Sequence, residues 1–363
     1  ETYMLKIGLI GMRSCGRTSI FNSLAAGRAF PADSLGRLKA KATHISSPDP
    51  RLDRLAQLAS SKRVTRSECE IIDFEGIGLG DGGGRQAEWL NTMQPLSVIV
   101  LVLELFQNDS PITSFPTQID EAYTELIIAD LGVVESRCLK IQEELSRAPR
   151  TDRTLLEYEQ KLFERLQSSL EAGLPLSSLD WTSHDKKMVQ SFGFTTLKPI
   201  VLALNTSEED ISQWKGLIQK VAGYTGIDDR CIACFSASLE SEAADITDLN
   251  DRKEILLELG IFDDPKSRFI GAIMSAADQI TVYTSGEKEA RSWPMRNGST
   301  ALDFAATIHT DLARGFIRAE TISFVDLDKL QSVAEVRKEG HIRQEGRDYL
   351  LQDGDVIEVL FSR

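Results

Sequence analysis

Short apolar runs alternate with helical stretches through most of the chain. Lys6-Ile-Gly-Leu-Ile10 is a compact apolar run that ends at Gly11. Glu70-Ile-Ile-Asp-Phe74, Ser97 to Phe106, Pro199-Ile-Val-Leu-Ala-Leu204 and Ile232-Ala-Cys-Phe235 repeat the pattern. Runs of this length predict buried strands. After the first of them, Thr18-Ser-Ile-Phe-Asn-Ser-Leu24 reads as the opening turns of a helix. Strands separated by helices predict an α/β domain, a mostly parallel sheet with helices on both faces.

Two stretches depart from that texture. Ile127, Leu131, Val134, Cys138, Ile141 and Leu145 are spaced by alternating fours and threes, the seam of a coiled coil. Ala148-Pro149 breaks the helix, and Leu155, Tyr158, Leu162, Leu166 and Leu170 mark a second stripe. Together they predict an antiparallel helical hairpin inserted between two strands, an arm or packing element without chemistry of its own. From about residue 276, Ile280 to Thr284 and Ala290 to Trp293 read as strands. A helix follows over Ala301 to Leu312, stopped by Gly315, and then strands over Ile317 to Phe324 and Asp355 to Phe361. That order predicts a small α+β module of the ubiquitin-like β-grasp kind. The expected division is residues 1–121 with 191–275 as one domain, 122–190 as the helical insert and 276–363 as the β-grasp domain.

Composition narrows the class. With 363 residues, 42% hydrophobic and 26% charged, the chain is long enough for two or three folded domains. The longest apolar run, Val98 to Leu105, is far too short to span a bilayer. Without a basic-then-apolar leader pattern, the sequence points to a cytoplasmic protein with no membrane partner, expected to act as a monomer. Met4 resembles a natural start. Five cysteines, paired in spacing only at Cys231-x-x-Cys234, and four scattered histidines give no metal-ligand pattern. A net charge of −14 gives little counterion-release gain on nucleic acid, so any RNA contact must come from a local patch.

The chemistry concentrates in Gly11-Met-Arg-Ser-Cys-Gly16-Arg17-Thr18, which has the spacing of a phosphate-binding loop with Arg17 in the lysine's place. Such a loop turns a strand into a helix so that successive N–H groups surround a phosphate. Gly11, Arg13, Ser14, Cys15, Gly16, Arg17, Thr18 and Ser19 are the expected phosphate contacts. The Thr18 hydroxyl is the expected Mg²⁺ ligand. Asp73-Phe-Glu-Gly76 follows at a strand end, about 55 residues later, where the D-x-x-G element of P-loop GTPases falls. There Asp73 would reach Mg²⁺ and the Gly76 N–H would face a γ-phosphate. Asn205-Thr-Ser-Glu208 occupies the base-reading position, with Glu208 where guanine selection needs Asp. Ser236-Ala237-Ser238 fits the loop whose backbone touches the base.

Over almost its whole length the chain resembles the YchF/Obg-like ATPases. The resemblance rests on the Gly11 loop, Ser47-Pro-Asp-Pro-Arg-Leu-Asp53, Asp73-Phe-Glu-Gly76, Phe106-Gln-Asn-Asp109 and Glu125-Leu-Ile-Ile-Ala-Asp-Leu131. It continues through Thr196-Leu-Lys-Pro199, Asn205 to Glu208, Ile308-His-Thr-Asp311, Gly315-Phe-Ile-Arg-Ala319, Glu345-Gly-Arg-Asp-Tyr349 and Asp353-Gly-Asp355. It implies a GTPase-like core, a coiled-coil insert, a C-terminal TGS-type β-grasp domain, ATP or GTP binding with relaxed base choice, and association with ribosomes or RNA.

Departures from the family pattern cluster at the catalytic chemistry. Arg17 replaces the loop lysine, and its planar guanidinium is not equivalent to an ammonium. Ile77 stands where Ras-like proteins hold a water-orienting glutamine. Thr113 aligns with a family histidine. Pro31-Ala-Asp-Ser-Leu-Gly-Arg37 replaces the first switch, leaving Ser34 as the nearest hydroxyl, and the second switch is shortened to Gly78-Leu-Gly-Asp-Gly-Gly-Gly84. Two expectations follow: a nucleotide-binding protein with weak or lost hydrolysis, or a nucleotide-independent scaffold acting through the arm and the TGS-like domain.

Overall fold

The computed structural model describes residues 4–25, 30–31, 40–46, 48–74, 92–106, 111–147, 149 and 153–362. The chain forms two compact units, one of Lys6–Thr43 and Ile71–Phe262, the other of Glu1–Leu5, His44–Glu70 and Asp263–Arg363.

The first unit is built on the sheet β2-β3-β5-β1-β6-β7-β8. Its strands are β1 (Leu5–Gly11), β2 (Phe30–Pro31), β3 (Ala40–Ser46), β5 (Glu68–Phe74), β6 (Val98–Glu104), β7 (Ile200–Asn205) and β8 (Ile232–Phe235). β1, β6, β7 and β8 pair in parallel, and β2 is antiparallel to β3. In β6 every residue from Val98 to Leu103 is buried, as a parallel strand covered on both faces requires. The apolar runs read from the sequence are these strands, and the α/β architecture is the one expected.

Between β6 and β7 lie helices α3 (Pro111–Arg147) and α4 (Arg153–Glu171). α3 starts earlier than the hairpin expected over 122–190, because its first turns belong to the sheet's core: Phe115, Ile119, Ala122 and Leu126 pack with Leu101, Leu103 and Leu204. Only from Ile127 onward does its buried face turn to α4, with Val134 and Ile141 meeting Leu162, Phe163, Leu166 and Leu170. Leu155 and Tyr158, expected in the α4 stripe, are exposed, and Phe163 takes the buried place instead. Tyr158 donates its hydroxyl to Asp185 at 2.7 Å. Arg137 of α3 grips Glu159 of α4 through two 2.8 Å hydrogen bonds.

Asp130 fixes the base of this hairpin. The carboxylate is fully buried and accepts from the backbone N–H and hydroxyl of both Thr195 and Thr196, at 2.6–2.9 Å. Burial pushes its carboxyl above the usual range, against the four donors that favour the charged form. Thr196 and the motif around it therefore have a structural task.

The second unit holds the sheet β12-β11-β13-β9-β10-β4. Its strands are β4 (Val64–Thr65), β9 (Gln279–Ser285), β10 (Ala290–Arg296), β11 (Phe316–Ser323), β12 (Arg343–Glu345) and β13 (Asp355–Phe361). The parallel β9–β13 pair at its centre, flanked by antiparallel β10 and β11, is the β-grasp arrangement. One face carries the helix Ala301–Ile308, whose Phe304 and Ala305 pack with Val282, Trp293 and Ile357. The helix expected to continue to Leu312 stops at His309, which is extended and caps a separate turn by accepting from Asp311 N–H.

The other face is covered from far away in sequence. Residues 44–70, assigned to the core domain from sequence, belong to this unit. Their helix α2 (Pro50–Leu58) is capped by Asp49 and started by Pro50. Leu52, Leu55 and Ala56 pack with Tyr283, Ala290, Ile322 and Val356. Arg51 meets Asp353 at 2.6 Å, Arg54 meets Asp328 at 2.7 Å, and the buried Tyr283 hydroxyl bonds Asp49. The unit boundary also lies earlier than residue 276, since the helix Pro265–Ala276 belongs here.

Replacing Asp130 with Ala strands four donors and should lower stability by about 3 kcal/mol in urea denaturation; a change under about 1 kcal/mol would refute the clamp. A chain ended at residue 262 loses Tyr283, Ala290, Ile322 and Val356, the apolar side chains of the second sheet that cover Leu52 and Leu55. It should bind a hydrophobic dye and aggregate, whereas a soluble, cooperatively unfolding product would contradict this packing.

Candidate nucleotide-binding site

β1 delivers the chain to Gly11, and α1 (Arg17–Ala25) leaves the loop six residues later. A side chain at Gly11 would stand 2.6 Å from the Val102 carbonyl oxygen and 2.7 Å from the Cys15 sulfur, so only glycine lets the loop run this close to β6. Gly16 has φ +90°, and a Cβ there would collide with the Asn205 amide nitrogen. Ser14 also adopts a left-handed φ of 63°. The loop thus turns on two positive-φ positions, Ser14 and Gly16, and the N–H groups of the first turn of α1 have no intrahelical acceptor. Arg13 and Ser14 are exposed, Gly16, Arg17 and Ser19 are half-buried, and Cys15 is buried. Burial pushes the Cys15 thiol up to about 11, which removes it as a nucleophile.

At the loop's end, Thr18 donates its hydroxyl to Asp73 at 2.7 Å, joining α1 to the end of β5. Asp73 is 1% exposed, and its other carboxylate oxygen has no hydrogen-bond partner among the described residues. A buried carboxylate oxygen without a donor is costly. Hard oxygen donors of this kind, a hydroxyl and a carboxylate beside a phosphate loop, suit Mg²⁺. The residues fit the ion.

Asn205, expected to read the base, has a further task. Its amide nitrogen donates to the Cys15 carbonyl at 3.0 Å, and its amide oxygen accepts from the Ala237 N–H at 3.1 Å. The side chain therefore ties the phosphate loop to the Ser236–Ala237 turn, both buried. Thr206 follows it, buried, and accepts from the Trp214 indole at 2.8 Å. Sequence reasoning missed this Thr206–Trp214 support; the buried threonine where GTPases carry lysine was its available signal. Glu208 and Ser238 are exposed, Glu208 at the start of a 3₁₀ turn. The structure brings together the Gly11–Ser19 loop, Asp73, Asn205 and Ala237. Gly76, Ile77 and Ser34 lie outside the described residues, as does the side chain of Thr113.

The YchF-GTPase_C family model, described as a protein of unknown function, matches residues 279–362. The "Ribosome-binding ATPase YchF" of Pasteurella multocida is 30% identical over 365 residues, 98% of this chain and 99% of that protein. The chain belongs to the YchF family. The Bacillus subtilis protein of the same name is 29% identical over 368 residues, 99% of each chain. The structure of the Schizosaccharomyces pombe YchF GTPase superposes with a TM-score of 0.79 at 22% identity, covering 99% of this chain and 98% of that one. That likeness shows a shared fold: a P-loop GTPase-like core with a C-terminal domain, end to end with the YchF pattern.

If Asn205 holds the loop, Asn205→Ala should weaken nucleotide binding about tenfold, roughly 1.4 kcal/mol, for adenine and guanine nucleotides alike. Titration of fluorescent ADP and GDP analogues reads this out. A loss confined to one base would show instead that the amide serves as a base reader.

Proposed function

We propose that the chain binds a purine nucleoside triphosphate with Mg²⁺ at the Gly11–Ser19 loop, hydrolyses it weakly, and works as a cytoplasmic ribosome- or RNA-associated factor. The observation that carries the reading is the buried Asp73 carboxylate, one oxygen on Thr18 and the other without a hydrogen-bond partner among the described residues, at the mouth of a glycine-dependent loop. The names of the YchF relatives, ribosome-binding ATPases, support the partner.

Loop N–H groups would take the β-phosphate, the Arg17 guanidinium would supply charge beside it, and Thr18 with Asp73 would hold the ion. Mg²⁺, when bound, neutralises phosphate oxygens. Turnover is expected to be slow because the position that should orient water is Ile77, an aliphatic side chain with no hydrogen-bonding group, and because Thr113 replaces a histidine. Arg17 keeps the lysine's charge but spreads it over a wider, planar group.

Glu208 replaces the aspartate of guanine selection, so ATP should compete at least as well as GTP for a fluorescent analogue. A tenfold or greater preference for GTP would sink this part. Arg17→Lys should tighten nucleotide binding more than it raises phosphate release. Brisk wild-type hydrolysis that Arg17→Ala abolishes would overturn the reading of a weakened centre.

A further inference from the structure

β6 ends at Glu104, a carboxylate outside the Thr18–Asp73 pair. The strand lies beside β1 with Val102 opposite Gly11, and beside β7 with Glu104 opposite Asn205. A Cβ at Gly11 would stand 3.4 Å from the Val102 Cβ and 2.7 Å from the Cys15 sulfur, so Val102 and Cys15 share one face of the sheet. Side chains two apart in a strand point the same way. Glu104 therefore belongs to the phosphate loop's face, one step nearer the strand's end than Val102. Leu101, Leu103 and Leu105 belong to the opposite face, where they pack with Phe115 and Ile119 of α3.

The main chain here is clamped. The Glu104 N–H donates to the Gln118 amide oxygen at 2.8 Å, and the Gln118 amide nitrogen donates to the Glu104 carbonyl at 2.7 Å. Leu105 follows, its N–H donating to the Asn205 carbonyl at 2.8 Å. The half-buried Glu104 carboxylate itself makes no hydrogen bond or ion pair among the described residues. Its charge still reaches the loop: burial pushes the Cys15 thiol up, Arg17 works against that, and Glu104 and Asp73 add to it. The two carboxylates differ in what a bound nucleotide would bring them. Asp73 holds Thr18 and suits Mg²⁺, whose charge would offset its own. Glu104 has no such counter-charge, so it would act directly on phosphates gathered by the loop N–H groups, and its partial burial limits screening.

We propose that Glu104 is a fixed electrostatic brake on nucleotide binding, a carboxylate that lowers the affinity of the Gly11–Ser19 loop for phosphate groups and speeds their release. The proposal rests on the nucleotide-binding reading above and names a residue that sets the affinity of that site. Holding a second metal ion is a poorer role, because no group of three or more metal-ligating side chains occurs among the described residues. A structural role is poorer too, since the Gln118 clamp uses only main-chain atoms of Glu104. A loop weakened in this way exchanges its nucleotide by simple dissociation, and its occupancy follows the surrounding nucleotide concentration.

The test is a charge series at one position of the full chain, Glu104→Gln and Glu104→Lys. A fluorescent ADP analogue is titrated at constant Mg²⁺, at low and at high salt, and its dissociation is followed by stopped flow. At low salt Glu104→Gln should bind about tenfold more tightly than the wild type and Glu104→Lys about tenfold more tightly again, mostly through slower dissociation. Both gains should shrink at high salt. Glu157→Lys, the same charge change at an exposed position of α4, should alter binding less than twofold. Without nucleotide all three variants should melt with the wild type. Equal affinities across the series, weaker binding by Glu104→Gln at an unchanged melting temperature, gains that salt leaves untouched, or an equal gain from Glu157→Lys would overturn the brake. Absence of binding by the wild type and by both Glu104 variants would instead strike the nucleotide-binding reading itself.

Discussion

The phosphate loop is held in shape by one side-chain amide. Asn205 bonds the Cys15 carbonyl on one side and the Ala237 N–H on the other, and it fills the space that a Cβ at Gly16 would need. Three segments distant in sequence are thereby locked: the loop after β1, the end of β7 and the turn after β8. Because the parallel strands register side by side, their C-terminal ends arrive together, and binding chemistry gathers at that edge. Thr18 and Asp73 add a second tie across the same edge, between α1 and β5. A loop pinned at both ends keeps its N–H groups pointed at one place before any ligand arrives, which lowers the ordering cost of binding.

Several of the motifs that carry the family resemblance act as joints. Asp130 and the Thr195–Thr196 pair close the base of the helical hairpin in a buried hydrogen-bond cluster. Pro48-Asp-Pro-Arg51 and Asp353-Gly-Asp355, more than 300 residues apart, meet through the Arg51–Asp353 ion pair, with the Arg51 guanidinium 5.3 Å from the Tyr283 ring centre. Tyr283, with its hydroxyl on Asp49, is among the most buried side chains of the chain, and burial pushes its pKa well up. These contacts make residues 44–70, which lie between the two switch regions in sequence, part of the β-grasp unit.

Legibility followed from how local each signal is. β1, β6, β7 and β8 were readable because a strand buried on both faces must be apolar throughout, and Val98 to Leu103 satisfies that without help from context. The loop was readable because Gly11 and Gly16 stand at a spacing that backbone geometry demands. α2 was not, because its apolar positions have meaning only beside Tyr283 and Ile322, more than 200 residues away. Leu155 and Phe163 show the limit of periodicity: a stripe locates a helix face, but the neighbouring helix decides which residues lie on it. Asn205 is visible to the sequence only as a base-reading candidate, while its internal bonding to the Cys15 carbonyl and the Ala237 N–H depends on backbone atoms that no motif displays.

Thr18 and the Asp73 oxygen that has no partner among the described residues would together form an ion site serving a bound nucleotide. Its most direct test is thermal unfolding of wild type and Asp73→Asn with ATP, each with and without Mg²⁺. Nucleotide at 100 times its Kd should add about 2.7 kcal/mol to the wild type. That gain should depend on Mg²⁺ and fall sharply in Asp73→Asn, whose uncharged amide is a poor ligand for the ion. Stabilisation of equal size with and without Mg²⁺, or no stabilisation at millimolar nucleotide, would contradict the account.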